Sequence, residues 1–208
     1  GMRHVENGLI DDLAYDVWMT DIDICDPVSW FYQEGMGIKS TGLLIGMLAD
    51  VVSKNGILLL NVPPCPDGTF AGDLAGSLHE IGDWLAENGE AIYDTVPWSI
   101  YGEGPSVLEK TGHYSESERN ASYCEQDVRF TQKGNTLYAI CLGVPEGEVR
   151  IRSLGTRGRL FENQIESVRL LGWDGDLAFD HAPMHLAVNM PQGFEGRHAC
   201  VFAVSRRP

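Results

Sequence analysis

The sequence is poor in basic residues and rich in acidic ones. Lys and Arg number 15 among 208 residues, against 30 Asp and Glu, so the formal net charge is −15. Proteins that bind nucleic acid need clustered Lys and Arg to neutralise phosphates, and an anionic membrane surface attracts the same side chains. The composition therefore argues against nucleic acid and membrane partners, and it leaves neutral ligands such as sugars open.

Long apolar runs and paired cysteines are also lacking. No stretch approaches the roughly 20 consecutive apolar residues that a membrane-spanning helix needs, and no signal peptide is recognisable at the start. The five cysteines are widely spaced and form no CxxC pair, whereas zinc sites group their ligands at short spacing. We therefore expect free, mostly buried thiols, and we predict neither a metal site nor a cofactor.

The first half of the chain alternates strand and helix patterns. A strand is predicted at residues 17–24, and an apolar helical period follows Ser40, a good N-cap residue, and ends at the Asn-Gly pair at 55–56. The continuous apolar run at 57–62 is typical of a parallel strand buried on both faces. A second helix is predicted from residue 74 to a second Asn-Gly pair at 88–89.

The second half shows no helical period. Short alternating segments separated by Gly, Pro, Asn and Asp predict an antiparallel β-sandwich, and Gly134 lies in a tight hairpin loop between two of them. The expected strands cover residues 127–132, 136–142, 149–154, 167–171, 177–179, 186–190 and 199–204. The fold class is therefore mixed α+β, with an α/β segment at 1–97 and a β-sandwich at 98–208.

Several blocks resemble glycoside hydrolase family 29, the α-L-fucosidases. Residues 48–63 read LADVVSKNGILLLNVP, close to the family block LVDVVSKNGNLLLN, and DGT at 67–69 matches the motif that follows it. EIGDWL at 80–85, NGEAIY at 88–93 and PW at 97–98 match the next family blocks in order. Upstream, WMTD at 18–21 and SWFY at 29–32 are similar to W(E/Q)TD and the aromatic motif after it.

The resemblance implies a fold and a reaction. Family members carry a (β/α)8-like barrel followed by a β-sandwich, so residues 1–97 are expected to be the last part of such a barrel. The family's retaining mechanism uses an Asp nucleophile and a second carboxyl as acid and base. The resemblance places the nucleophile and the histidines of the fucose pocket upstream of the matched blocks, and no counterpart of them is found in this chain.

Two positions depart from the family pattern. Many members carry the acid/base Glu where this chain has Met19, and a thioether cannot transfer a proton at neutral pH. An Arg of the family's short ERG motif is replaced by Asn7 in the corresponding Glu-Asn-Gly of this chain. Glu6 is then the one carboxylate near the matched segment that is a candidate acid/base; the alternative is that Glu6 is a surface residue.

The positions of polar and aromatic residues suggest a sugar site. In a parallel barrel the site lies at the carboxyl ends of the strands, which here bring Asp21 and Asp23, with Trp30 and Tyr32 in the loop that follows. Carboxylates accept hydrogen bonds from sugar hydroxyls, and aromatic rings stack on the C–H faces. We expect these four residues to bind substrate; alternatively, the carboxylates belong to the loop and Trp30 packs in the core.

Three hypotheses of function remain open at this point. The chain is a C-terminal fragment of a retaining α-L-fucosidase-like hydrolase, inactive alone because it lacks the nucleophile; alternatively, it is a non-catalytic carbohydrate-binding module, or a structural module. The expected partner is a fucose-containing glycan, and the family resemblance is compatible with a bacterial periplasmic or extracellular location. Because a few strands taken from a barrel leave edges and apolar faces uncovered, we also expect a homo-oligomer.

Overall fold

A computed structural model describes residues 1–106, 123–158, 160–161 and 164–207. The first strand, β1 (Arg3–Glu6), is followed by β2 (Trp18–Asp23), the short pair β3 (Cys25–Asp26) and β4 (Gly37–Ile38), helix α1 (Thr41–Ser53), β5 (Gly56–Asn61) and helix α2 (Gly72–Asn88). The antiparallel part contains β6 (Val96–Glu103), β7 (Val128–Lys133), β8 (Thr136–Cys141), β9 (Glu148–Ile151), β10 (Ile165–Leu170), β11 (Phe179–His181), β12 (Leu186–Asn189) and β13 (Cys200–Arg206).

The sheets and helices stack in layers. A parallel sheet of order β1-β2-β5 packs on α1 and α2 through a core that includes Ile24, Leu44 and Leu74. The other side of the helices packs on a five-stranded antiparallel sheet of order β10-β13-β8-β7-β6. A second antiparallel sheet, β11-β12-β9, covers the far face of the five-stranded sheet. The expected mixed fold, an α/β segment followed by an antiparallel sandwich, is confirmed.

Local sequence signals explain several element ends. The Ser40 hydroxyl accepts a hydrogen bond from the Leu43 amide and so caps α1, as predicted. Asn55, rather than the following glycine, takes the left-handed conformation at the end of that helix, with φ of 71°. Gly134 has φ of 57° in the hairpin between β7 and β8, a conformation that glycine adopts at little cost.

The strand β5 is less buried than its sequence predicts. Ile57 and Leu59 keep 46% and 55% of their surface exposed, so the expectation of burial on both faces is wrong in this respect. The reason is position: β5 is the edge strand of the parallel sheet, and only its Leu58 and Leu60 face points toward the helices. Among the described residues, no strand pairs with its outer edge.

A buried charge cluster joins α1 to the sandwich. The Asp50 carboxylate accepts hydrogen bonds from Lys54 Nζ at 2.7 Å and from Arg129 Nε, on β7, at 2.6 Å, and all three side chains are almost completely buried. Lys54 also donates to the Ile10 carbonyl oxygen at 2.7 Å. The Tyr101 ring lies 4.5 Å from Lys54 Nζ, which is cation–π distance. One carboxylate thereby connects the N-terminal segment, α1 and the five-stranded sheet.

Close backbone approach supports the same junction. A Cβ atom at Gly46 of α1 would lie 2.5 Å from the ring of Tyr123, so only glycine lets this ring pack against the helix. The Tyr123 ring in turn lies 5.6 Å from the Arg129 guanidinium. Burial raises the pKa of Tyr123 well above its ordinary value, so the phenol stays neutral beside the Asp50 carboxylate.

A second carboxylate, that of Asp127, forms hydrogen bonds with residues on both sides of the segment between β6 and β7. Asp127 accepts hydrogen bonds from the Ser106 amide and hydroxyl and from the Cys124 amide, at 2.6–3.0 Å. Burial alone would raise the pKa of Asp127, but these hydrogen bonds outweigh it and lower the pKa. The two ends of residues 106–124 are therefore fixed to one side chain.

The sandwich begins close to the predicted boundary. Strand β6 starts at Val96, so the division at 97/98 falls inside the first strand of the five-stranded sheet; the division into two domains stays a prediction. Among the described residues, neither helix is both long enough and apolar enough to cross a lipid bilayer.

We predict that Asp50→Asn lowers the free energy of unfolding by about 3–5 kcal/mol, because it leaves two buried cations without a charged partner. Urea unfolding followed by circular dichroism measures this. The matched control is Glu148→Gln, which removes an ion pair to Arg150 whose side chains are 41% and 64% exposed and should cost less than about 1 kcal/mol. Equal losses in the two variants would contradict the structural role of Asp50.

We also predict that the chain self-associates through the exposed side of β5, as the uncovered edge and apolar face suggest. Light scattering at micromolar concentration should give a mass above that of one 22.9 kDa chain. Leu59→Lys should shift the equilibrium to monomer, whereas Met184→Lys, at a similarly exposed position of the sandwich, should not. A monodisperse wild-type monomer would refute the prediction.

Candidate functional site

The carboxyl ends of the three parallel strands meet at one edge of the sheet. Glu6 at the end of β1 lies in register with Asp21 of β2, and Asp23 lies in register with Asn61 at the end of β5. Neighbours in register on parallel strands point to the same side of the sheet. The structure thus brings three of the predicted site residues, Glu6, Asp21 and Asp23, to the edge at which parallel-barrel sites lie.

Asp21 holds the start of the chain in place. Its Oδ1 lies 3.0 Å from His4 Nε2 and accepts a hydrogen bond from the Asn7 amide at 3.2 Å. The Asn7 amide also donates to the Asp21 carbonyl oxygen at 3.0 Å. Asn7 has φ of 49°, which lets the chain turn directly after β1. The pairing of His4 with Asp21 was not anticipated from the sequence, because the pattern of residues 3–6 gave no strand.

Asp23 differs from Asp21 in being fully buried. Its Oδ1 accepts hydrogen bonds from the amides of Cys25 at 2.6 Å and Ser29 at 3.4 Å, and Lys39 Nζ lies 4.0 Å from Oδ2. Lys39, also buried, donates to the carbonyl oxygens of Asp23 and Cys25. This carboxylate therefore organises the loop after β2; whether Asp23 also binds substrate stays a prediction.

The thiol of Cys25, next to the Asp23 carboxylate, is a poor nucleophile. Burial, with a contribution from the negative charge of Asp23, raises the pKa of Cys25 to about 11, so almost none of it is thiolate at neutral pH. Its Sγ contacts the Met36 sulfur at 3.7 Å. All five cysteines are free, as expected from their spacing.

The loop that carries Trp30 and Tyr32 is hydrogen-bonded to the end of β5. The Asn61 side chain donates a hydrogen bond to the Trp30 carbonyl oxygen at 3.3 Å, and Trp30 as a residue is 39% exposed. Tyr32 is half-buried, and desolvation together with the neighbouring Cys65 and Glu34 raises its pKa, so the hydroxyl stays protonated and can donate a hydrogen bond. The structure therefore brings Trp30 to the strand ends; whether either aromatic binds a sugar stays a prediction.

The opposite side of this sheet serves packing only. Trp18 and Thr20 of β2 are buried, and the Trp18 indole donates to the Lys54 carbonyl oxygen at 3.0 Å. Met19 alternates with them and lies on the same side as Asp21, in register with His4 and Ile57. Among the described residues, no group of three His, Cys, Asp or Glu side chains is arranged to hold a metal ion.

Comparison with known proteins gives a consistent result. The family model described as alpha-L-fucosidase matches residues 1–90. Tissue alpha-L-fucosidase of Mus musculus is 30% identical over 172 residues, which are 80% of this chain and 32% of that protein; the Homo sapiens enzyme gives the same identity and coverage. The chain thus spans about a third of the length of these relatives.

Solved structures extend the similarity over the whole chain. The structure of Thermotoga maritima alpha-fucosidase in complex with fucose has a TM-score of 0.71 and 26% identity, over 94% of this chain and 41% of that one. Another solved alpha-L-fucosidase has a TM-score of 0.74 and 25% identity, over 99% of this chain and 42% of its own length. Both the parallel segment and the sandwich therefore have their counterparts in these proteins.

We predict that Asp23→Asn lowers the free energy of unfolding by about 2–3 kcal/mol, because it replaces a buried carboxylate that accepts charge-assisted hydrogen bonds. Asp21→Asn is the matched control: its side chain is 21% exposed, and the loss should stay below about 1 kcal/mol. Urea unfolding of both variants measures the difference. A larger loss for Asp21→Asn would reverse the assignment of these two carboxylates.

Proposed function

Because this chain is related to the α-L-fucosidases of glycoside hydrolase family 29 and corresponds to their C-terminal part, we propose that it forms one wall of a binding site for a fucose-containing glycan. The observation that carries the proposal is the juxtaposition of carboxylates and an exposed indole at the carboxyl ends of the parallel strands. A related structure, that of the Thermotoga maritima enzyme, is a complex with fucose.

The residues at this edge suit a neutral sugar. Carboxylate oxygens of Glu6 and Asp21 can accept hydrogen bonds from hydroxyl groups, and the phenol of Tyr32 can donate one. The exposed part of the Trp30 ring offers an apolar surface for the C–H face of a pyranose. Asp23 contributes indirectly, because it holds the loop that carries Trp30.

The reaction proposed for the complete site is retaining hydrolysis of an α-L-fucoside. Such enzymes need two carboxyl groups, one that attacks the anomeric carbon and one that transfers protons. Glu6 is the carboxylate of this chain proposed for proton transfer, and the family resemblance places the nucleophile outside the matched blocks. We therefore propose that this chain binds the sugar but does not hydrolyse it alone.

A non-catalytic carbohydrate-binding module is the second candidate. The exposure of Trp30 and the burial of Asp23 favour it, because binding needs a stacking surface and acceptors but no nucleophile. A purely structural module would bind no sugar. Affinity for fucose separates a purely structural module from the two sugar-binding functions, and turnover of a fucoside tests whether this chain holds a complete catalytic site.

We predict that L-fucose binds the full chain and that Trp30→Ala weakens binding at least fivefold, because the stacking surface is lost. Chemical-shift titration of the labelled chain measures the dissociation constant. Phe31→Ala is the matched control, since this neighbouring aromatic is more exposed and should leave the affinity within a factor of two. An aryl α-L-fucoside should not be hydrolysed at a rate typical of the family.

The outcomes separate the hypotheses. Binding without turnover supports the proposed sugar binding, which both of the first two functions share, while absence of binding leaves a structural role. Rapid hydrolysis that Glu6→Gln or Asp21→Asn abolishes would show that a complete catalytic site assembles from this chain.

A further inference from the structure

The position of Met19 is flanked by a side chain that can transfer protons. His4 on β1 is the register partner of Met19 on β2, so both point to the same side of the parallel sheet. Glu6 is the register partner of Asp21, two residues further along the strand. Of the two candidates for proton transfer on β1, the imidazole is therefore the one directly beside Met19.

Asp21 determines which ring nitrogen of His4 is left to accept a proton. The distance of 3.0 Å between His4 Nε2 and Asp21 Oδ1 is that of a hydrogen bond, in which Nε2–H donates to the carboxylate. In the neutral imidazole this leaves Nδ1 as the proton acceptor. A carboxylate that holds one ring nitrogen sets the tautomer and the orientation of the ring.

The imidazole of His4 is accessible to a ligand. The His4 side chain is 45% exposed, whereas Asp21, which holds it, is 21% exposed. An imidazole can both donate and accept a proton, which general acid and base catalysis requires. Met19 has no such chemistry, so a neighbouring His–Asp pair offers a replacement at the same place.

We propose that His4, with Asp21 as its positioning residue, takes the proton-transferring role in the fucose site in place of the candidate carboxylate Glu6; this rests on the proposed fucose binding. In the complete site the imidazolium gives its Nδ1 proton to the glycosidic oxygen while the C1–O bond breaks and its electron pair passes to that oxygen. A carboxylate nucleophile forms a covalent bond to C1 as the C1–O bond breaks. In the second half of the reaction, Nδ1 accepts a proton from the water that attacks C1 and releases the nucleophile.

The test needs no turnover. Long-range 1H–15N spectra of the labelled full chain resolve the ring nitrogens, and His4→Gln identifies the His4 signals. We expect the neutral His4 ring to carry its proton on Nε2 and the Nδ1 signal to shift on saturation with L-fucose. Asp21→Ala should abolish the fixed tautomer and bring the two nitrogen shifts closer to those of a free imidazole.

Affinity gives the second readout. His4→Gln should weaken L-fucose binding about fivefold or more, while His79→Gln, an exposed histidine on α2, should change it by less than twofold. Glu6→Gln should affect the affinity less than His4→Gln does. If Asp21→Ala does not fold, the wild-type spectra and His4→Gln still decide the question.

Two results overturn the proposal in distinguishable ways. If fucose binds in a Trp30-dependent manner but the His4 nitrogens do not respond and His4→Gln binds as tightly as wild type, His4 has no role and the proposed function stands. If L-fucose does not bind, both the proposed function and the role of His4 are refuted.

Discussion

The whole molecule depends on one buried carboxylate. Asp50 lies between Lys54 and Arg129, and these three side chains connect α1, the segment after β1 and the five-stranded sheet. Buried charges of this kind are costly to desolvate and stable only when each is paired. Burial lowers the pKa of Lys54, and the Asp50 carboxylate opposes that effect; the aromatic ring of Tyr101 also lies within cation–π distance of Lys54 Nζ.

This junction determines where the candidate site lies. With α1 held against the sandwich, its other side packs against the parallel sheet, and the strand β5 that follows it is fixed in register with β2. The carboxyl ends of β1, β2 and β5 therefore meet at an edge whose position depends on this junction. The exposed face of this sheet carries both the apolar Ile57 and Leu59 and the polar His4 and Asp21.

The sequence predicted regular elements well and burial less well. Ser40, Gly134 and the alternating strands of the sandwich act through local geometry, which neighbouring residues alone determine. The strand β1 escaped notice because Arg3, His4 and Glu6 make it polar, and its pairing with β2 is a long-range contact. For the same reason the sequence grouped Asp21 with Asp23: only the packed loop distinguishes an exposed carboxylate from a buried one.

The hydrogen bonds of Asp127 have a practical consequence for protein engineering. Ser106 and Cys124 are joined through this side chain, so the described chain on either side of residues 107–122 is anchored to one point of the folded body. Loop closure then costs little additional entropy when the enclosed chain is lengthened. A fluorescent domain, an affinity tag or a protease recognition sequence introduced there would start and end on an anchored base.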